Sequence, residues 1–370
     1  MVVRQRYGGP ERVVVVEQPE PSSRDLGPDQ VLVRVVASSV NALDVHELRG
    51  EPMPMRLAGG LRRPKQPRLG TDLAGVVEEV GAEVTDLRPG DEVLGVAPGA
   101  FGELVVARAG RLAKKPAGLA WDVAGMLPVA ACTALLAVRD GGGVTAAGSG
   151  GVVGCGPAGS DGAGRGSAGG QGGTTGRGGS AGGSGTGDRD RQIPRLLVVG
   201  AGGGVGAFAV GIAKQLGAEV TATTRATSVA AVRALGADRV LDHGREDVLA
   251  GGDRYDTIVD LGGTRPVGAY RRILAPGGRF VVVGGPAGRW VRPLDRMVAA
   301  RIASLRGPER FVAFLASVVP ADLAMLADWA ASGAIRPMVD RVVPLDGVPD
   351  TLEAFERGEL RGKAGVAIPG

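Results

Sequence analysis

The sequence predicts an α/β protein in which a β-rich domain is joined to a doubly wound parallel sheet. Three observations predict it. The first ~120 residues carry short, valine-rich apolar runs punctuated by Gly, Pro and Asp. After residue 195, such runs alternate with helical spacing, the rhythm of parallel strands joined by crossover helices. At the first of these junctions, 197-LVVGAGGGVGAFAVGIAKQLGA-218, five glycines fall within the seven positions 200–206, where a buried strand passes directly into a helix.

In the β-rich part, segments 12–17, 31–37, 74–80, 91–96 and 103–107 read as strands of a compact barrel or sandwich. Residues 121–140 have helical spacing. Strands are then expected at 195–200, 219–224, 239–242, 256–261 and 279–284, with helices over 204–217 and 227–236. The tail returns to strand at 339–346 and 363–368, with a helix over 348–358 between. Residues 1–120 and 336–370 therefore form one domain, and 121–335 the parallel-sheet domain. Residues 141–192 interrupt the second domain. Of positions 141–190, 23 are glycine, so there is almost nothing to bury and a disordered insertion is predicted. Lengthening a loop from about 10 to about 50 residues costs only about 1.4 kcal/mol, so the fold can carry it.

Composition narrows the function. Hydrophobic residues make up 44% of the 370, enough for a sizeable core, but aromatics are only 3%, so packing must rest on Val, Leu, Ala and Ile. The formal charge is +4, and basic runs such as 62-RRPK-65 are short and lack interleaved aromatics. That reads as a solvated surface, not a nucleic-acid face. The two cysteines, Cys132 and Cys155, cannot build a disulfide framework or a Cys-rich metal knuckle. No apolar run is long enough to span a membrane, and the first residues read as a strand, not as a charged-then-apolar signal. A cytoplasmic, soluble protein is expected.

The glycine-rich turn suits a phosphate. Gly200, Gly202, Gly203, Gly204 and Gly206, with Val205 among them, stand where strand becomes helix. Glycine there permits a tight turn and close approach of backbone to a pyrophosphate. The helix N-terminus adds unpaired N–H groups and a partial positive charge. In dinucleotide sites an acid at the end of the second strand holds the ribose hydroxyls. This chain has 221-TATTRATS-228 and no acid there. Arg225 can donate to a 2′-phosphate, with Thr223 and Thr224 beside it. NADPH is therefore the expected cofactor, with NADH as the alternative.

Several runs together resemble the medium-chain dehydrogenase/reductase superfamily, in its zinc-free quinone-oxidoreductase-like branch. They are 38-SSVNALDVHELRG-50, 68-RLGTDLAGVVEEVGAEVTDLRPGDEVLGV-96, 112-LAKKPAGLAWDVAGMLPVAACTALLA-137 and 199-VGAGGGVGAFAVGIAKQLGAEV-220, followed by 235-LGADRVLD-242, 276-PGGRFVVVGG-285 and 335-IRPMVDRVVPL-345. The resemblance implies a GroES-like catalytic domain made by both chain ends, a Rossmann domain between, a cofactor in the cleft and a homodimer. Zinc members have a Cys where this chain has Asn41, and Gly-His-Glu where it has 70-GTD-72. Neither Asn41 nor Thr71 is a plausible zinc ligand.

The resemblance also implies site residues. Asn41 would lie beside the nicotinamide and donate to developing oxyanion charge, or else cap a turn. His46 would supply a proton, or be a partly exposed helix residue. Asp44 stands between them, as a catalytic group or a structural one. Thr133 matches a threonine near the nicotinamide, or bonds its own helix backbone. Gly262 and Gly284 end later strands where backbone could face the cofactor. Lys363 matches a Gly-Lys element at the cleft edge, or is a surface lysine. The expected activity is NADPH-dependent, zinc-independent hydride transfer to a small-molecule quinone, enone or related activated carbonyl. The alternatives are a zinc-free alcohol or aldehyde reductase and a nucleotide-binding scaffold without turnover.

Overall fold

The computed structural model describes residues 1–370 except 18, 20, 22–25, 146–192, 284–293, 315 and 370. The chain begins with β1 (Val2–Arg4), β2 (Val13–Val15), β3 (Gln30–Val40), α1 (Ala42–Arg49), α2 (Met55–Gly59), β4 (Asp72–Val80), β5 (Glu92–Val96), β6 (Leu104–Arg108) and β7 (Leu112–Lys114). Helices α3 (Trp121–Met126) and α4 (Pro128–Leu135) lead to β8 (Arg195–Val199), α5 (Gly204–Gln215), β9 (Glu219–Thr224), α6 (Val229–Ala234), β10 (Arg239–Asp242), β11 (Tyr255–Asp260) and β12 (Leu274–Val282). The last elements are α7 (Leu294–Ala303), β13 (Arg310–Ala313), α8 (Pro320–Ala331), β14 (Val339–Val343), α9 (Val348–Glu356) and β15 (Lys363–Ala367).

Two sheets dominate. A six-stranded parallel sheet runs β10-β9-β8-β11-β12-β13, so β8 sits at the point where the strand order reverses. A seven-stranded sheet has the path β14-β15-β3-β4-β5-β7, with β6 paired to β3. Strand β3 is its hub. Gln30–Arg34 pair with β6, and Ala37–Val40 pair antiparallel with β15. This register sets Ala364 opposite Val40, and so brings the start of the last strand beside the residue that follows β3.

The apolar residues divide into one cluster under the seven-stranded sheet and two on the parallel sheet. With few aromatics available, Tyr270, Phe280 and Phe311 are gathered in one stack, centroids 4.8 and 5.4 Å apart. The helix expected over 121–140 is divided. Pro128 begins α4 and has no N–H to continue α3, and after Leu135 the helix widens into a π-turn over Leu136–Gly141. Residues 141–144, assigned to the insertion by composition, pack into the parallel-sheet domain: the Gly142 carbonyl accepts from Thr257 Oγ1 at 2.8 Å and Val144 is buried. The rest of the predicted insertion, 146–192, lies outside the described residues.

Within the β-rich half lies α1, which makes His46 the partly exposed helix residue of the second reading. This helix starts immediately after Asn41 and ends at Gly50, whose φ of 59° closes it in the left-handed region. Short β13 and the charged α7 gave no periodic signal in the sequence.

Candidate active site

The carboxyl edge of the parallel sheet holds the glycine-rich turn between β8 and α5. Gly200 has φ 88°, and a Cβ there would lie 3.1 Å from the Gly262 backbone nitrogen, at the end of β11. A Cβ on Gly206 would lie 2.4 Å from the Gly200 carbonyl oxygen, and one on Gly202 2.4 Å from Thr224 Oγ1. The Gly200 and Ala201 amides donate to the Thr223 carbonyl at 3.1 and 2.9 Å, which fixes the turn to the end of β9. Gly203 is exposed and Gly202, Gly204 and Val205 are half-buried, so the backbone at the α5 N-terminus reaches the surface of the crevice. The first N–H groups of a helix have no partner within it, and the cradle therefore suits the pyrophosphate of a dinucleotide.

Of the residues predicted at the end of β9, Thr223 and Thr224 are buried, with Thr224 Oγ1 beneath Gly202. Arg225 alone of the three is exposed. Its Nη1 donates to the Gly358 carbonyl at 2.7 Å, just beyond α9. Gly284 lies outside the described residues.

Facing this turn is a buried polar network at the end of β3. Asp72, fully buried at the head of β4, accepts from Ser39 Oγ at 2.7 Å and from Asn41 Nδ2 at 2.8 Å. Its second oxygen accepts from the Val129 amide in the first turn of α4 at 2.8 Å, where the helix end favours a negative charge. Lys363, 3% exposed, donates to the Val40 carbonyl at 3.1 Å and to Asn41 Oδ1 at 2.7 Å, and stands 3.5 Å from Asp72. Burial pushes the Lys363 ammonium below its ordinary pKa, while Asp72 and Asp44 oppose that shift. Asp44 Oδ2 accepts from the Asn41 amide at 2.7 Å and Oδ1 from Thr71 Oγ1 at 3.1 Å. Desolvation lifts its pKa to about 7, against the lowering effect of the Asn41 N–H.

The geometry gives each of the predicted side chains partners within the protein. Both N–H groups of the Asn41 amide are engaged, with Ser39 O at 3.2 Å and with Asp72. No N–H is left over for a substrate without an exchange of partners. Asp44 serves the network and is fully buried, the structural alternative. Lys363 is no surface lysine, and its ammonium is spent on acceptors of the protein itself. Thr133 donates to Val129 O in its own helix at 2.6 Å. His46 lies two residues after Asp44 on α1, about 200° around the helix from it. No hydrogen bond joins it to the network among the described residues. Burial lowers its pKa, with the Glu51 backbone and carboxylate opposing that shift.

The sequence reading missed Asp72 itself, although 70-GTD-72 was in view. The available signal was a carboxylate at the head of an otherwise apolar strand, which must find partners. It also missed a second buried pair. Asp260, at the end of β11, accepts from the Gly263 amide at 3.0 Å and pairs with Arg296 of α7 at 2.5 Å, while Arg296 Nη1 donates to the carbonyls of Gly263 and Arg265. That pair braces the turn carrying Gly262.

The donor set at Asn41, Thr71 and Asp72 does not fit a zinc ion. It contains no thiolate or imidazole, and an ammonium already lies 2.7 Å from Asn41 Oδ1. No group of three or more His, Cys, Asp or Glu side chains suited to a metal occurs among the described residues. No helix among them is long and apolar enough to cross a membrane.

Comparison with known proteins agrees with this architecture. Residues 27–117 match the family described as "Alcohol dehydrogenase GroES-like domain", and residues 235–364 match "Zinc-binding dehydrogenase". The mitochondrial NAD(P)H oxidoreductase RTN4IP1 of Mus musculus is 28% identical over 375 residues, covering 92% of this chain and 82% of that protein. The quinone oxidoreductase of Coxiella burnetii has a TM-score of 0.76 at 23% identity, covering 100% of this chain and 98% of the other. The Escherichia coli quinone oxidoreductase complexed with NADPH has a TM-score of 0.68 at 21% identity, covering 99% of each chain. With a GroES-like half, a parallel sheet reversing at β8 and a glycine-lined turn at that point, the chain belongs to the medium-chain dehydrogenase/reductase superfamily.

Proposed function

We propose that this NAD(P)H-dependent oxidoreductase prefers NADPH, needs no zinc, and transfers hydride to a quinone, an enone or a related activated carbonyl. The observation that carries the reading is the ammonium of Lys363, held between Asn41 and Asp72 where zinc relatives would place their metal ligands. With a protein cation already there, the electrophile must come from the substrate itself, and a conjugated carbonyl or quinone meets that need. The cofactor, when bound, supplies the hydride.

The chain's own residues do the rest. The backbone of Gly202, Gly203, Gly204, Val205 and Gly206 would hold the pyrophosphate, and Arg225 the 2′-phosphate. Of the two bonds made by the Asn41 amide nitrogen, the one to Ser39 O is the longer at 3.2 Å. A substrate oxygen gaining negative charge can replace that neutral acceptor and take the N–H. His46 makes no hydrogen bond to the network among the described residues, so water delivers the proton. A homodimer in the cytoplasm belongs to the same reading.

A single NADPH-oxidation panel across quinones, enones and simple aldehydes, run with and without a chelator, tests it. The expected result is turnover of quinones or enones, unchanged by the chelator. Turnover confined to aldehydes, or lost on chelation, overturns the reading.

A further inference from the structure

Lys363 touches both halves of the cleft. Its ammonium belongs to the network of the seven-stranded sheet, on Val40 O, Asn41 Oδ1 and Asp72. Its alkyl chain belongs to the phosphate turn. A Cβ built on Gly204, the first residue of α5, would lie 2.6 Å from Lys363 Cδ and 3.0 Å from Cγ. The preceding residues also meet, in a parallel bridge between Gly203 and Gly362. The Lys363 amide is itself fixed, donating to Met338 O at 2.7 Å.

We propose that Lys363 is a positioning residue that couples the two domains across the cleft: the hydrogen bonds that orient Asn41 and Asp72 also set where the N-terminus of α5 stands. The proposal rests on the cofactor site described above and goes beyond it, because it assigns the lysine no contact with the cofactor. Three N–H bonds are all an ammonium can give, and three protein acceptors surround this one. The stem is rigid in effect, since it is packed on one side by backbone at Gly204 and its ammonium ends beside the fully buried carboxylate of Asp72. A change in the charge or hydrogen bonding at Asp72 must therefore move the stem, and the stem abuts the turn that grips phosphate.

A double-mutant cycle on the full chain tests the coupling. Lys363→Met keeps the alkyl contact with Gly204 and removes the charge. Asp72→Asn removes the opposite charge and retains polar atoms. NADPH binding is read by nicotinamide fluorescence and folding by Tm. Each single variant is expected to weaken NADPH about tenfold, and the double variant also only about tenfold, because both break one linkage. Removing both charges should restore Tm toward wild type without restoring NADPH affinity. Independent losses that multiply to about a hundredfold in the double variant overturn the proposal. So does affinity that recovers together with Tm, which is the behaviour of a lysine that only balances charge. If Lys363→Met fails to fold, Asp72→Asn alone decides: NADPH affinity equal to wild type overturns the proposal. Wild-type protein that binds no NADPH overturns the functional reading and this coupling with it. Normal wild-type binding with independent losses overturns the coupling alone.

Discussion

Asp44 and Asp72 are buried within one network that also contains a single lysine, and the network is best balanced when only one of the two carboxylates is charged. Burial accordingly raises Asp44 to about 7 from the 3.8 of an exposed aspartate. Between about pH 4 and pH 7 the folded chain holds a proton there that the unfolded chain has released, so this group makes stability fall as pH rises through that window. Asp44→Asn removes the effect. Thermal melts at pH 5 and pH 8 should show the wild-type Tm, relative to the variant, a few degrees higher at pH 5. A pH-independent difference would contradict the assignment. The glycines of the phosphate turn were legible in the sequence because their reason is local: strand, turn and helix lie within one short segment. The Asn41–Asp72–Lys363 contacts were not. Asn41 and Lys363 are 322 positions apart, and no spacing rule brings a residue after the third strand to the start of the last.

Among the elements, β12 shows how scarce aromatics are used. Phe280 is fully buried and stacks against Tyr270 on one side and Phe311 of β13 on the other. It therefore ties an edge strand to the sheet in a core otherwise built from small aliphatics. Phe280→Ala should lower unfolding stability by about 3–5 kcal/mol, read from the midpoint of urea denaturation at unchanged m. A loss under about 1 kcal/mol would mean that the site collapses around the cavity. The elements that sequence patterning found best are the Val- and Ala-rich strands and α5, whose apolar runs are continuous, Gly206–Ala213 being buried without a break. It gave α1 no bounds, where a short helix sits inside a β-rich half, and it ran α3 and α4 together, where the periodicity continues through a proline that the backbone cannot ignore.

At the scale of the whole molecule, long-range ion pairs brace each half, and a hydrogen bond from Arg225 crosses between them. Arg49 of α1 pairs with Glu356 of α9, and Arg139, in the π-turn after α4, pairs with Asp322 of α8 at 2.7 Å. Arg225 ties the end of β9 to the carbonyl of Gly358. That tie keeps the guanidinium near the crevice mouth, with donors to spare for an anion. In Arg225→Ala, the kcat/KM preference for NADPH over NADH should fall roughly 10- to 150-fold, the worth of one charge-assisted hydrogen bond. Full retention of the preference would remove Arg225 from cofactor selection.

The pairing of β15 with β3 has a consequence for the chain as it leaves the ribosome. The parallel sheet is complete once residue 313 has emerged, but the edge of β3 that receives Ala364–Ala367 stays open until some fifty further residues have been made. Until then the nascent protein exposes an unpaired strand edge, the kind of surface that invites association with neighbours and the attention of chaperones. The same segment delivers Lys363, so the cleft gains its internal cation only when β15 docks against β3.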